Sequence, residues 1–326
     1  AKAKRSQVVA LCDLLEDRME QVASELPEPV KRYTDYKEMC RDPEIDAVFV
    51  GTPNQFHVPV AREVVRNGKH VMVTKPLSDS VEAARTLVEE AEAAGVVNMM
   101  SLSTRFDPRT QYLGRAIQDG QFGDLYYGRA RSVRRSGIPS WSMGFVQRGG
   151  GAFRDMGVHV LDAAWWLLGM PKPVSVTGVS GAKFGPRGVG YWDYKPQPEL
   201  GPKYEADDYA TGFIRFENGV SLQVESFWAS HQPEDLQIEL FGTEAGAKLV
   251  PPTIYRTMDN APVDCAVTLP KGPEVWELLA DHFNSCVLDG TPCAAPLRHG
   301  LIVQEMMEAL LTSADEGREV TLGAAK

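Results

Sequence analysis

The sequence predicts a two-domain α/β protein: a parallel-sheet domain, then an α/β domain whose strands are mostly antiparallel. Its 326 residues suit two domains. The first hundred residues alternate short apolar runs with helical patterns, which is typical of parallel strands joined by crossover helices. From about residue 105, runs of alternating polarity are separated by turns, which favours antiparallel strands. We therefore predict domains at 1–104 and 105–326.

In the first domain, each predicted strand is a short apolar run without alternation, as expected when both faces of a sheet are covered. The predicted strands are 8–13, 46–52, 69–73 and 96–101. The predicted helices are 16–26, 35–42, 56–68 and 79–95. Asp79 and Glu82 have the spacing of a capping box at the start of the last helix, and Gly95 ends it.

In the second domain, helices flank a series of strands, and a Gly- and Pro-rich loop at 184–204 interrupts the series. The predicted helices are 107–123, 153–169, 274–290 and 300–317. The predicted strands are 124–135, 173–180, 207–216, 220–229 and 236–242. The turn at 217–219 suits a hairpin between two of them. We interpret the long loop as part of the rim of a cleft.

Charge and composition exclude several classes of protein. The net charge of −10 and the pI of about 5.2 argue against a general binder of nucleic acid or anionic membranes. No apolar run is long enough to cross a membrane. Five scattered cysteines without CxxC spacing indicate neither a disulfide framework nor a zinc site, and a reduced cytoplasm fits them. We expect no metal, and we expect His231, His282 and His299 to be structural or exposed.

Polar residues follow three of the predicted strands, at the sheet edge where open parallel sheets bind ligands. Asp13 ends the first strand, Thr52-Pro53-Asn54 follows the second with His57 just beyond, and Thr74-Lys75-Pro76 follows the third. A lysine alone at a strand end is often an ordinary solvated residue. Its position beside two other polar strand ends indicates a role in a ligand site.

Asp13 bears on cofactor choice. An acid at the end of such a strand can accept hydrogen bonds from ribose hydroxyls and repel a 2′-phosphate, which favours NAD over NADP. The alternative is that Asp13 simply caps the helix after it, and the two interpretations are compatible.

The stretch "GGGAFRDMGVHVLD" (149–162) is the second candidate region. Its glycines allow close approach of the backbone, and Asp155, His159 and Asp162 follow at helical spacing on one face. A carboxylate can orient an imidazole for proton transfer. The alternative is a surface Asp–His pair without a catalytic role.

These motifs give the sequence a family resemblance. "GTPNQFHVPVAREVVRNGKHVMVTKPL", "STRFDPR", "GGGAFRDMGVHVLDAAWWLLG" and "SADEGREVTL" together resemble the Gfo/Idh/MocA oxidoreductases, in the same order and over nearly the whole chain. The resemblance implies a Rossmann domain, an open-sheet α/β domain that often forms oligomers, and NAD(P)-linked redox chemistry on sugars, cyclitols or related polyols. It implies a homodimer or homotetramer and no membrane or nucleic-acid partner.

The resemblance also implies roles for individual residues. Lys75 matches a lysine beside the nicotinamide and the reacting hydroxyl, His159 the acid/base, and Asp155 a residue that orients it or holds substrate. The implied cofactor-binding residues are Asp13, Thr52, Pro53, Asn54, His57, Thr74, Lys75 and Pro76. Arg105 and Trp141 match cleft residues more weakly, and Trp141 could instead be a buried support for its loop.

The sequence departs from the family in two places. Thr74 stands where the family usually has glutamate, and the glycine-rich pyrophosphate loop is absent, the first glycine being Gly51. We therefore expect roughly thirty upstream residues to carry a strand and this loop. We also expect that the strands ending at Asp13 and Thr52 do not pair directly, and that residues 1–326 alone bind NAD poorly.

The predicted function is an NAD(P)-dependent dehydrogenase that transfers a hydride between a nicotinamide and a sugar, cyclitol or polyol hydroxyl. Two alternatives remain open on the same fold. One is an enzyme that retains NAD while it cleaves or epimerises glycosides. The other is a sugar-sensing regulator without activity.

Overall fold

The structure is a computed structural model that describes residues 5–323. It divides into two compact units: residues up to Ser101 with Pro273–Leu301, and Leu102–Gly272 with residues from Ile302 on. The sequence-based division at 104/105 lies close to the first of these boundaries, but it placed 273–301 in the second domain. The expectation that residues 1–7 form no strand lies partly outside the described residues; Arg5–Gln7 are not in a strand.

The strands are numbered in chain order. They are β1 Ala10–Cys12, β2 Lys31–Tyr33, β3 Ala47–Val50, β4 His70–Val73, β5 Asn98–Met100, β6 Leu125–Val133, β7 Pro173–Gly181, β8 Tyr209–Phe216, β9 Ser221–Phe227, β10 Asp235–Gly242, β11 Ala245–Lys248, β12 Thr253–Met258, β13 Ala261–Ala266 and β14 Val320–Thr321.

The helices are numbered in the same way. They are α1 Glu16–Ala23, α2 Tyr36–Arg41, α3 Asn54–Arg66, α4 Val81–Ala94, α5 Pro108–Gln118, α6 Met143–Val146, α7 Val158–Leu167, α8 Val275–Asp289 and α9 Leu297–Glu316. A π-helical turn, Phe153–Gly157, immediately precedes α7. None of the helices in residues 5–323 is long and apolar enough to span a membrane.

The first unit contains five parallel strands in two ladders. β3, β4 and β5 pair in that order, and β1 pairs with β2. In agreement with the sequence analysis, no ladder within residues 5–323 joins β1 to β3. The sequence analysis missed β2, because Lys31-Arg32-Tyr33 is short and its two charged residues hide the pattern of a buried strand.

The ends of α4 show where local sequence rules held. Gly95 adopts a left-handed conformation (φ 65°) and ends the helix, as predicted. The predicted capping box at Asp79 was wrong by one residue: Ser80 is the N-cap, and its side chain accepts from Ala83 N–H. The methionines at the end of β5, Met99 and Met100, are fully buried in the core.

The second unit contains one nine-stranded sheet in the order β13-β12-β11-β10-β6-β9-β8-β7-β14. All its pairings are antiparallel except β6 with β9, so the predicted mostly antiparallel open sheet is confirmed. Strands β11, β12 and β13 were not predicted. They are short, with four to six residues each, and they lie at one edge of the sheet, where burial decreases toward β13.

Helix α7 covers one face of this sheet. Gly128, Ala130 and Ser132 alternate along β6 on the buried side. Trp165 on α7 is buried, whereas Trp166 is half-buried against α5. There a Cβ on Gly114 would lie 2.5 Å from the Trp166 ring, so this position requires glycine. The side of α7 that packs against the sheet and α5 is therefore not available to a ligand.

Candidate active site

In the first unit, the ends of two adjacent parallel strands carry the predicted strand-end residues. β3 ends at Val50 and leads through Thr52 and Pro53 into α3. β4 ends at Val73 and leads into Thr74-Lys75-Pro76, with Thr74 N–H donating to Val50 O at 3.0 Å. Because β3 and β4 are parallel and paired in register, these segments lie side by side. The sequence-based placement of Lys75 at a strand end is therefore what the structure shows.

Thr52 carries the feature that best fits an added ligand. Its Oγ1 is buried and has no hydrogen-bond partner within the described residues. The adjacent helix α3 begins with Pro53 as its cap, without a capping side chain. An unsatisfied hydroxyl next to a helix N-terminus suits the polar parts of a nucleotide. The residues at this turn therefore fit one portion of a dinucleotide.

His57 is fully buried, and its ring bridges the two strand-end segments. Its Nδ1 lies 2.8 Å from Pro76 O, and its Nε2 lies 2.7 Å from Thr52 O. Burial lowers the pKa of His57, although the contacts with the two carbonyls oppose that effect. Because both ring nitrogens already face backbone carbonyls, the structure gives His57 the role of positioning these segments.

Asp13 follows β1 and has one oxygen engaged locally. Its Oδ1 accepts from Leu15 N–H at 2.9 Å, while its own N–H donates to Tyr33 O. The N-cap of α1 is Leu15, so Asp13 closes a turn before the helix and does not cap it directly. This contact uses one carboxylate oxygen and is compatible with a ligand at the other.

In the second unit, the three glycines bring the backbone against Asp207. Gly151 has φ 114°, and a Cβ there would lie 1.9 Å from Asp207 Oδ1. Ala152 N–H donates to Asp207 O, and Phe153 N–H donates to Asp207 Oδ2, both at 3.0 Å. Glycine at 151 is thus needed both for its left-handed backbone and for this close approach.

The π-helical turn after the glycines carries Asp155. Turns of this type often occur at functional sites. Trp228, which is fully buried, donates its indole N–H to Asp155 Oδ2 at 3.0 Å. His159 follows in the first turn of α7 and is half-buried, whereas most of that helix is buried. The turn and the packing of α7 therefore leave Asp155 and His159 partly accessible, as is Arg154 beside them.

Two adjacent acids that the sequence analysis missed support this region. Burial raises the pKa of Asp207 to about 6, against the Phe153 N–H and the Arg154 charge, which lower it. Asp208 is buried, and its Oδ2 accepts the backbone N–H groups of Lys183, Phe184 and Gly185 at 2.6–3.0 Å. Asp208 therefore fixes the start of the long loop that the sequence predicted as a cleft rim.

Asp162 and Arg105 are paired in the core. Both side chains are 1% exposed, and Arg105 donates through Nε and Nη2 to Asp162 at 2.6–3.1 Å. Arg105 also lies over the Trp165 ring, 5.8 Å from its centroid. The sequence analysis expected Asp162 to lie on the same face as Asp155 and His159. That expectation is wrong, because Asp162 is buried and does not share the accessible side of α7 with His159. The pair supports α7 from beneath.

Trp141 is exposed, with 63% of its surface accessible, so the alternative that it is a buried support for its loop is wrong. It meets Phe145 and Trp192 edge to face, with ring centroids 5.8 and 6.1 Å apart. Beneath these rings, buried Tyr191 and Trp228 belong to one apolar cluster that reaches the π-helical turn. The second unit thus presents an aromatic surface on the same packed cluster that holds Asp155.

The folds of the two units define a class: oxidoreductases with an NAD-binding parallel-sheet domain and a large open-sheet domain. The sequence model of the oxidoreductase family with an NAD-binding Rossmann fold matches residues 1–102, and that of the GFO/IDH/MocA C-terminal domain matches residues 110–248. The chain belongs to the GFO/IDH/MocA oxidoreductase family, as the sequence resemblance predicted.

Relatives and solved structures agree with this membership. D-glucoside 3-dehydrogenase of Escherichia coli is 30% identical, with 97% of this chain and 90% of the relative covered. A scyllo-inositol 2-dehydrogenase (NAD(+)) of Bacillus subtilis is 32% identical over 73% of this chain and 65% of the relative. A levoglucosan dehydrogenase solved with NADH superposes with a TM-score of 0.84 at 19% identity, covering 98% and 91% of the two chains, which shows a shared fold.

Proposed function

We propose that this oxidoreductase oxidises a secondary hydroxyl of a sugar, glycoside or cyclitol with NAD. The observation that carries the proposal is the placement of His159: a half-buried imidazole beside a π-helical turn, on a helix whose other residues are mostly buried. The family membership supports the redox chemistry, and the names of the relatives above support the substrate class. The first unit serves as the dinucleotide-binding domain, and the second binds substrate.

In the first unit, the turns after β1, β3 and β4 bind the cofactor. The cofactor held by these turns would supply the hydride acceptor for the reaction. Thr52 offers its unsatisfied hydroxyl. The N-terminus of α3 lies next to it, and the first N–H groups of a helix have no partner within the helix. His57 keeps the two turns in place. The proposed cofactor-binding residues are Asp13, Thr52, Pro53, Asn54, His57, Thr74, Lys75 and Pro76.

Three side chains are assigned to the chemical step. Loss of a hydride from a carbinol carbon requires removal of the hydroxyl proton, and His159 accepts that proton. The ammonium group of Lys75 stabilises negative charge as it develops on the same oxygen. Asp155, which Trp228 holds in place, orients the imidazole or binds a neighbouring hydroxyl. The assignment of all three to one reaction rests on the family membership of the whole chain.

Substrate binding is assigned to the second unit, to Asp155, His159 and the exposed aromatic surface around Trp141. Flat aromatic faces suit the apolar side of a sugar ring. Arg105 was also predicted to contact substrate, but its guanidinium is buried against Asp162. We therefore leave Arg105 out of the proposed substrate-binding residues.

We further propose that NAD is preferred over NADP and that the protein is a cytoplasmic homodimer or homotetramer. Asp13 supports the first point, since a carboxylate repels a 2′-phosphate. Asp13→Ser should therefore lower the ratio of kcat/KM with NAD to kcat/KM with NADP. A preference of the wild-type protein for NADP would contradict the role assigned to Asp13. The proposed homo-oligomer is supported by the face of the nine-stranded sheet opposite α7, because Tyr127, Phe213 and Phe241 form an aromatic row on that face.

The test of the proposed function is a panel of glycosides, free sugars and cyclitols, assayed for NADH formation with the protein in its native full length. Net NADH formation that scales with substrate supports the dehydrogenase. Substrate turnover without net NADH, with nucleotide retained on the protein, would instead identify a glycoside-cleaving or epimerising enzyme. Ligand binding with no turnover of any member would identify a sugar-sensing regulator.

A further inference from the structure

Two cysteines and a histidine that look unrelated in the sequence come together in the first unit. His282 and Cys286 are four positions apart on α8, and Cys293 follows in the loop after that helix. One ring nitrogen of His282 and the two Sγ atoms all lie within 4.8 Å of one another. In residues 5–323 this is the one group of three histidine, cysteine or acidic side chains with such spacing.

The fold produces this arrangement in two steps. Residues four apart on a helix lie on one face, which aligns His282 with Cys286. Gly290 then ends α8 in a left-handed conformation, with φ 68°, and turns the chain back. The returning segment is fixed to the sheet of the same unit, since Met100 N–H donates to Ala295 O at 2.9 Å. Cys293 is thereby held opposite the helix face.

The Nε2 atom of His282 lies within reach of both the Ala294 backbone N–H and the Cys286 thiol. Ala294 N–H donates to His282 Nε2 at 2.9 Å, so Nε2 is the unprotonated nitrogen. Cys286 Sγ lies 3.4 Å from the same nitrogen. A neutral imidazole with a fixed tautomer is the form that ligates metals.

We propose that His282, Cys286 and Cys293 form a binding site for zinc. Two thiolates and an imidazole are a donor set that zinc takes in tetrahedral geometry, with three protein ligands and a fourth position for solvent. Ligands at about 2.0–2.3 Å from zinc at tetrahedral angles are separated by about 3.5–3.8 Å. The 3.4 Å contact between Cys286 and His282 is close to that separation. On binding, the cation replaces the Ala294 N–H at His282 Nε2.

A disulfide between Cys286 and Cys293 is the competing use of these residues. The two thiols are not bonded in the structure. Zinc needs no oxidant, and it joins the end of α8 to the loop that is hydrogen bonded to β5.

The experiment is a titration of the full-length protein with cobalt(II) in reducing buffer, followed by displacement with zinc. We expect one cobalt per chain, with the visible bands of tetrahedral coordination and a thiolate-to-cobalt charge-transfer band, all lost on zinc addition. Native mass spectrometry should show one bound zinc. Zinc should also raise the thermal unfolding midpoint, because a ligand that binds only the folded state stabilises it.

The variants His282→Gln, Cys286→Ser and Cys293→Ser should each weaken zinc binding by at least about 100-fold, since loss even of a residue that only hydrogen bonds to a ligand costs about 10–100-fold. Cys293→Ser is the decisive variant, because this half-buried loop residue can change without disturbing the helix. Cys265→Ser, a half-buried cysteine of the second unit, is the matched control and should bind normally.

Absence of the charge-transfer band in the wild-type protein, or unchanged binding by a folded Cys293→Ser variant, would overturn the proposal. So would a Cys286–Cys293 disulfide in protein purified with no bound zinc. None of these measurements depends on turnover, so the result is independent of the proposed dehydrogenase activity.

Discussion

Lys75 in the first unit and His159 in the second lie in different kinds of local structure. Lys75 follows a paired parallel strand, and the contacts that position its segment come from nearby residues, Val50 and His57. His159 follows a π-helical turn whose supports, Asp207 and Trp228, lie more than fifty positions further along the chain. The first arrangement can be read from local sequence, whereas the second depends on long-range packing that can be altered without touching His159, the proposed acid/base.

The largest expected effect tests the chemistry that both arrangements serve. His159→Ala and Lys75→Ala should each lower kcat/KM by roughly 10²–10⁴-fold, because a positioned acid/base or charge is lost. His231→Ala and Lys37→Ala, exposed residues of the same types, are matched controls. A folded His159→Ala variant within a few-fold of wild type would remove His159 from the reaction. The same result for Lys75→Ala would remove the lysine.

The second prediction concerns the buried ion pair between Arg105 and Asp162 of α7. Arg105→Met should lower the free energy of unfolding by about 3–5 kcal/mol, because it leaves the Asp162 carboxylate buried without its partner. Arg109→Met is the matched control: Arg109 pairs with Asp107 at 2.6 Å but is partly exposed, so we expect a loss of about 1 kcal/mol or less. Urea denaturation of the wild-type protein and the two variants measures both losses of unfolding free energy. Equal losses in the two variants would show that burial of the pair does not matter.

Asp207 allows a test in which pH is the variable. Its pKa of about 6 in the folded protein lies above the ordinary value of 3.8, so the folded state binds more protons than the unfolded state between these values. Stability from this group therefore falls as the pH rises from about 4 to above 6. The total change is about 3 kcal/mol, since one pKa unit corresponds to about 1.4 kcal/mol.

Asp207→Asn should remove this dependence and keep an acceptor for Phe153 N–H. The unfolding free energy of the variant relative to wild type should rise from near zero at pH 4 to about 3 kcal/mol at pH 7. Asp124→Asn provides the background for loss of an exposed carboxylate. A constant difference between Asp207→Asn and wild type across this range would contradict the titration.

The smallest expected effect concerns the aromatic surface. Trp141→Ala should raise KM by about 3–10-fold with little change in kcat, because stacking contributes about 0.5–1.5 kcal/mol. Trp276→Ala, at 62% exposure against 63% for Trp141, is the matched control in the first unit. A fall in kcat without a change in KM would show that Trp141 acts on the chemical step, not on binding.

Sequence reasoning succeeded where structure depends on neighbouring residues. The strand ends that carry Thr52 and Lys75 were predicted from uninterrupted apolar runs, and Gly95 ended α4 as expected for a left-handed residue. It failed where two distant segments meet. Nothing near Asp207 in the chain indicates that the glycine turn rests on it, and only the packed fold shows Asp162 turned toward Arg105.

The cysteines illustrate the same limit. Cys286 and Cys293 lack the spacing of a known metal motif, and the sequence analysis predicted that His282 is structural or exposed. Their proximity depends on two features. The left-handed Gly290 ends α8, and the hydrogen bond between Ala295 and β5 fixes the chain just after Cys293. A spacing rule that assumes a short, standard loop cannot detect such a group.

The bridge made by His57 has a consequence for the free energy of catalysis. A buried ring in contact with Thr52 O and Pro76 O leaves the segments on either side of it few alternative conformations. The backbone conformational entropy of ordering the turn that carries Lys75 is therefore lost when the chain folds, not when substrate arrives. In the proposed reaction, preorganisation of this kind would leave more of the intrinsic binding free energy to lower the barrier.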